Sequence, residues 1–239
     1  MIIATQIKER LAAVNYGIVL TASDFGIAPQ YQASLVRSLN RKVAIGELQR
    51  VSKGKYYKPK KTLFGTLKPT PSEIMKDLFI KNGKTIGYIT GTSAFASMGL
   101  TTQITSAITI GVNRYRRSTF RGETKISFLV QPNPITEESI PLLRILDAIK
   151  LIRQIPATTP NESVKVLSNI LLAMPKGQIK LLCQLAEAYT PYVRALLGAI
   201  LEKNGLPTYD LKMTLNGVTT YKLPISKNTL PNKRSWNIL

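Results

Sequence analysis

The chain has no histidine and a single cysteine in 239 residues, and each shortage removes a class of chemistry. Without imidazole there is no Ser-His or Cys-His nucleophilic pair, no histidine general base and no histidine metal ligand. The lone thiol, Cys183, cannot close an internal disulfide. Its place in an apolar helical pattern marks a buried core side chain rather than a nucleophile, and a reducing cytoplasm fits this usage. Acids are also scarce, 13 Asp and Glu against 33 Lys and Arg. Between residues 100 and 180 they are Glu123, Glu137, Glu138, Asp147 and Glu162, none paired at a spacing suited to metal-assisted phosphoryl transfer. Asn82 to Thr85 reads NGKT but lacks the upstream glycine of a phosphate loop, and Gly87, Gly91 and Gly99 miss the dinucleotide-binding spacing. The expectation is therefore a non-enzyme with no catalytic residue, no cofactor and no metal.

Targeting signals are missing too. The N-terminal MIIATQIKER has no basic region followed by an apolar core, so secretion is not expected. Thr85 to Asn113 runs 29 residues without a charge, but ten are Ser or Thr and four are Gly, which suits buried strands and turns better than a membrane span.

What is present is positive charge. The formal net charge of +20 attracts any polyanion, and it is densest at the N-terminus, where the first 61 residues hold eleven basic and three acidic side chains. No polybasic amphipathic helix stands beside a lipidation signal, so nucleic acid is expected rather than a membrane.

The same N-terminal stretch carries a pattern. Thr5 to Val14 places Ile7, Leu11 and Val14 on one helical face, with Gly17 as its stop. Thr21 and Asp24 have capping-box spacing around a short helix anchored by Phe25, and Gly26 with Pro29 sets a turn. From Gln30 to about Val43, Leu35, Val36, Leu39 and Val43 share one side, while Gln30, Ser34, Arg37 and Arg41 share the other. Such a helix buries one face and offers donors to base edges and phosphates on the opposite one. Leu48 to Val51 and Lys55 to Lys58 read as strands about Ser52, Lys53 and Gly54. Together these elements predict a winged helix-turn-helix. Its candidate DNA-binding residues are Gln30, Tyr31, Ser34, Arg37, Ser38 and Arg41 on the helix, and Arg50, Lys53, Lys55 and Lys58 on the wing.

Downstream, Lys58 to Pro71 is rich in Lys, Pro, Thr and Gly and reads as a linker, with a domain boundary near residue 66. Ser72 to Asn82 is expected to be a short helix with Ile74, Leu78 and Phe79 inward. A small-residue helix around Ser93 to Met98 and strands around Ile104 to Val112 and Thr124 to Val130 follow. Arg114, Arg116, Arg117 and Arg121 fall between those strands, either as a solvated loop or as a second basic contact. Four helices are expected between residues 137 and 204, and Asn216-Gly217 signals a hairpin over 209 to 223. The tail after Pro224 either covers a sheet edge with Trp236 or is partly disordered. The predicted class is α+β, an N-terminal winged helix-turn-helix (residues 1–66) followed by a larger mixed α/β domain with a helical C-terminal part (residues 67–239).

The TASDF segment, the SLNR run from Ser38 to Arg41, the wing sequence GELQRVSKGKYYKP and the stretch GYITGTSAFASMGLTTQ together resemble the AbiEi family of antitoxins, over roughly residues 5 to 130. The resemblance implies a winged helix that represses its own operon at a promoter inverted repeat, bound by two copies, and a second domain that opposes a nucleotidyltransferase-type toxin. One departure stands out: Lys42 follows the SLNR run where relatives usually carry an apolar residue, which implies a shifted end to the recognition helix. Two other classes remain open, a stand-alone winged-helix transcription factor whose second domain senses a ligand or partner, and a transferase built from scattered Asp and Glu.

Overall fold

The computed structural model describes residues 2–63, 65–81, 83–121 and 124–239, and its architecture is mixed α+β. The chain divides into two compact units, Met1–Phe79 with Phe120–Glu123, and Ile80–Thr119 with Thr124–Leu239.

In the first unit, helix α1 (Ile2–Ala13) buries Ile7 and Leu11, one turn apart. Strand β1 (Val19–Thr21) leads into a 3-10 turn, Ala22–Phe25, which the Thr21 N–H opens by donating to the Asp24 carboxylate at 2.6 Å. Gly26 ends the turn at φ +62°, a left-handed conformation natural to glycine. A second 3-10 turn, Pro29–Tyr31, precedes helix α2 (Gln32–Ala44), so Gln30 and Tyr31 belong to the tighter turn rather than to the helix. Strands β2 (Gln49–Ser52) and β3 (Lys55–Tyr57) form an antiparallel hairpin, and β1 pairs with the other edge of β3. Leu35 and Leu39 of α2 are fully buried against Ile7, Leu20, Phe25, Leu48 and Tyr56. Truncating either leucine to alanine removes transfer energy and leaves a cavity, at a cost of about 2–5 kcal/mol.

The expected linker is structured, and the boundary near residue 66 moves. Strands β4 (Lys60–Thr62) and β5 (Gly65–Leu67) pair antiparallel within it. Helix α3 (Pro71–Phe79), assigned by composition to the second domain, belongs to the first unit. Two contacts hold it there: the Val19 N–H donates to Glu73 at 3.3 Å, and Asp77 pairs with Lys55. Met75 and Leu78 form its buried face, with Ile74 and Phe79 half-buried.

The second unit opens with the small hairpin β6 (Ile80–Lys81) and β7 (Lys84–Thr85). Strand β8 (Gly87–Thr90) runs antiparallel to β9 (Ile108–Val112), which is parallel to β11 (Thr124–Val130). Helix α4 (Thr92–Ser97) follows β8, and strand β10 (Thr119–Arg121) precedes β11 in sequence. The strand expected from Ile104 starts at Ile108 instead, and Ile104 is exposed. Gly111 of β9 lies under the Tyr88 ring, where a Cβ would approach within 2.3 Å of the ring, so only glycine fits.

Helices α5 (Ser139–Lys150), α6 (Pro160–Leu172), α7 (Lys176–Ala186) and α8 (Pro191–Lys203) complete this core. Each apolar stripe is buried: Leu143, Leu146 and Ile149 on α5, Val164 and Leu167 on α6, Ile179 and Leu182 on α7, Leu196 and Ile200 on α8. Thr159 and Glu162 cap α6 reciprocally, at 3.2 and 2.8 Å.

The hairpin over residues 209–223 does not form. Tyr209–Thr214 is a 3-10 helix with Leu211 buried, and the Asn216 side chain closes a local turn on Val218 N–H at 2.9 Å. Tyr221 bridges to Ile238 of the tail instead, because Leu211 and Leu223 bury more apolar surface in the helical core than a two-stranded ribbon would. The tail is ordered by α8, not by a sheet edge. Trp236 packs on Gly198 and donates from Nε1 to Glu202 at 2.9 Å. Among the described residues, no helix is long and apolar enough to cross a membrane.

Candidate nucleic-acid interface

Helix α2 positions the first group. Burial of Leu35 and Leu39 sets its rotation, and the 3.6-residue period then exposes Ser34, Arg37 and Arg41 on the opposite side. Gln30 and Tyr31, in the preceding turn, are exposed, while Ser38 is half-buried. Val36, expected with the core residues, is also exposed. The hairpin is tied to α2 by the Tyr56 hydroxyl, which donates to the Asn40 side chain at 3.1 Å. Lys42, the departure noted in the sequence, pairs with Glu47 across the helix end, and Ile45 stands exposed just past it. This pairing neutralises Lys42, which lies off the row of Ser34, Arg37 and Arg41.

The β2–β3 hairpin offers fewer free cations than its sequence suggests. Arg50 and Lys53 are exposed, with the Arg50 Nε donating to the Ser52 carbonyl at 3.2 Å and Gly54 at φ +74° forming the tip. Lys55 is not an outward cation: it is 7% exposed and pairs with Asp77. Burial pushes the Lys55 ammonium below its usual range, the Asp77 partner opposing that shift. Position accounts for the reversal: β3 is the central strand of its three-stranded sheet and is buried along its whole length, so it has no solvent face. Lys58 is half-buried; its Nζ donates to the Leu11 carbonyl at 3.3 Å and lies 4.7 Å above the Tyr16 ring. Both lysines hold the fold of the unit. Asp77 shares a face of α3 with Glu73, but nothing local in the sequence pairs it with Lys55, 22 positions earlier.

The second basic group is split. Arg114 and Arg117 are exposed in the segment after β9, and Arg116 stacks over Phe128 with 5.7 Å to the ring centre. Arg121 belongs to the first unit, where it donates to the Ser52 hydroxyl at 3.0 Å and to Asp77 at 3.3 Å. It therefore helps Lys55 to hold Asp77 and is not a free contact.

In the second unit the one fully buried acid is Asp147, among the described residues. It accepts from the hydroxyls of Tyr88 at 2.6 Å, Thr90 at 2.8 Å and Tyr189 at 2.9 Å. Burial raises its pKa, and the three hydroxyl donors act in the opposite direction. The same burial and the nearby carboxylate raise both tyrosines. This network fastens β8 to α5 and to the turn after α7, and among the described residues no second carboxylate joins it to make an acid–base pair. Among the described residues no three His, Cys, Asp or Glu side chains converge on a point that could hold a metal. Cys183 is buried and its thiol is pushed up to about 12, chiefly by desolvation.

These features define a mixed α+β protein with a compact basic N-terminal unit and a helical second unit around a buried polar cluster. The chain belongs to the family of unknown function DUF6088, whose profile matches residues 6–168. No curated protein matches the chain. Among solved structures it is similar to the RV2827C protein from Mycobacterium tuberculosis, at 14% identity and a TM-score of 0.47, over 92% of this chain and 84% of that one.

Proposed function

We propose that the chain is a DNA-binding transcriptional repressor of the winged helix-turn-helix type, whose α2 enters the major groove while the β2–β3 hairpin touches the backbone. One observation carries this reading: Gln30, Ser34, Arg37 and Arg41 form an exposed row backed by the buried Leu35 and Leu39, with Arg50 and Lys53 exposed on the adjoining hairpin. Tyr31 and Ser38 flank that row. The AbiEi resemblance extends the proposal to autoregulation of a toxin–antitoxin operon and to antitoxin activity against a nucleotidyltransferase-type toxin in the cytoplasm. An inverted-repeat operator would take two copies, one per half-site.

The test is binding of the purified protein to its own upstream promoter duplex against a scrambled duplex, titrated across salt. A strong promoter preference with a steep salt slope supports the reading. Equal, weak binding to both duplexes would refute it. The antitoxin reading predicts a toxin gene immediately downstream, and co-expression with that toxin separates an antitoxin from a stand-alone regulator, which has no toxin neighbour and restores no growth.

A further inference from the structure

We propose that the second unit carries a binding site for a small monocarboxylic acid with an apolar body, in the cavity between α4, α5, α6 and the start of α7. This inference goes beyond the repressor reading and does not depend on it. The cavity opens to solvent on one side and has a volume of about 410 Å³, within the range of small-molecule sites. Met98, Ile145, Ile170 and Met174 supply an apolar wall, and Arg144 and Gln178 supply its polar groups.

Arg144 sets the chemistry. Its Nε donates to the Ile89 carbonyl at 2.9 Å, which fixes the guanidinium plane and leaves the two Nη groups for another acceptor. Among the described residues no acidic side chain lines the cavity, so the cation has no carboxylate of its own there. A guanidinium held by one nitrogen beside an apolar wall matches a carboxylate head followed by a hydrocarbon body, because the two Nη donors can take both carboxylate oxygens. A neutral ligand would leave that charge unpaired. A phosphate or dicarboxylate would press further charge against methionine and isoleucine. The two methionines, unbranched and polarizable, can adapt the wall to the shape of the body.

The anchor is also connected to the core. Ile89 stands between Tyr88 and Thr90, both donors to Asp147, and Asp147 lies one turn along α5 from Arg144. Arg144 is therefore braced by the same strand that the buried carboxylate holds, so its guanidinium meets a ligand already oriented.

The experiment is titration calorimetry of the full chain, without DNA, using octanoate and 1-octanol as probes. Octanoate is expected to bind saturably at one site, and octanol about tenfold or more weakly. Arg144→Met should bring octanoate down to the level of octanol while leaving octanol unchanged, and Met174→Trp should abolish both by filling the cavity. Arg144→Lys keeps the charge but not the fork and should give intermediate affinity, which preserves the test if Arg144→Met does not fold by circular dichroism. The proposal is overturned if neither probe binds saturably, if octanoate binding survives Met174→Trp, or if the preference for octanoate persists without Arg144. Since no DNA is present, failure here leaves the repressor reading standing, and failure of promoter binding leaves this one standing.

Discussion

Replacing Gly198 by alanine tests the packing of the C-terminal tail against the second unit. Gly198 lies inside α8, where alanine is the better helix former by about 0.8–1.0 kcal/mol. On propensity alone the substitution stabilises. The structure predicts the opposite sign, because the new methyl would come within 2.1 Å of Cζ3 and 2.2 Å of Cη2 of Trp236, which is 1% exposed. Carbon atoms pack at about 3.5–4.0 Å, so the indole or the helix must move by more than an ångström. Overpacking of this kind costs about 1–3 kcal/mol. A displaced indole also strains its Nε1 hydrogen bond to Glu202, a charged acceptor worth roughly 1.5–3 kcal/mol. The expected net loss is on the order of 2–4 kcal/mol, read by urea denaturation with circular dichroism. In a Trp236→Leu background the ring is gone, and the same alanine should stabilise by roughly its propensity gain. Equal effects of Gly198→Ala in the two backgrounds would show that the indole contact is not what requires glycine.

Four further outcomes are expected. Arg37→Ala should cost about 1–3 kcal/mol of promoter affinity and relax selectivity, whereas Lys53→Ala should weaken all duplexes alike and reduce the salt slope by about 1; identical behaviour of the two variants in anisotropy titrations would contradict the groove assignment. Asp77→Asn leaves Lys55 buried without its carboxylate and should lower the stability of the first unit by about 2–4 kcal/mol, measured by chemical denaturation. Glu202 is held below its ordinary pKa of 4.5, mainly by the Asn232 amide, so its stabilising contribution is present above that value and is lost as pH falls through the lower folded value. Acid titration of Glu202→Gln should lack that component. Cys183, with its thiol pushed up to about 12, should resist alkylation at neutral pH in the native protein and react once the chain is unfolded.

Much of the local structure was legible because it depends on neighbours in sequence. The Thr21–Asp24 and Thr159–Glu162 caps, the apolar rows of α2 and α5 to α8, and the turn at Gly54 all rest on spacings of four residues or fewer. The exposed row of Ser34, Arg37 and Arg41 was readable for the same reason, since burial of Leu35 and Leu39 fixes the rotation of a single helix.

Tertiary contacts decided the remainder. Lys55 and Lys58 have the composition of a basic wing, yet Asp77 from a later helix takes one and the Leu11 carbonyl with the Tyr16 ring takes the other. Arg121 reads as part of an arginine cluster but folds onto Ser52, 69 positions away. Asn216-Gly217 carries a local hairpin signal, but Leu211 and Leu223 enter the helical core and Tyr221 pairs with Ile238. The cavity beside Arg144 has no sequence signature, because its walls come from four helices. The sequence by itself determined where the longer α-helices lie and which face of each is apolar, since those follow from propensity and period. Which charges remain free for a partner was decided only in the tertiary structure, because a buried cation must find a counter-charge wherever the chain happens to bring one.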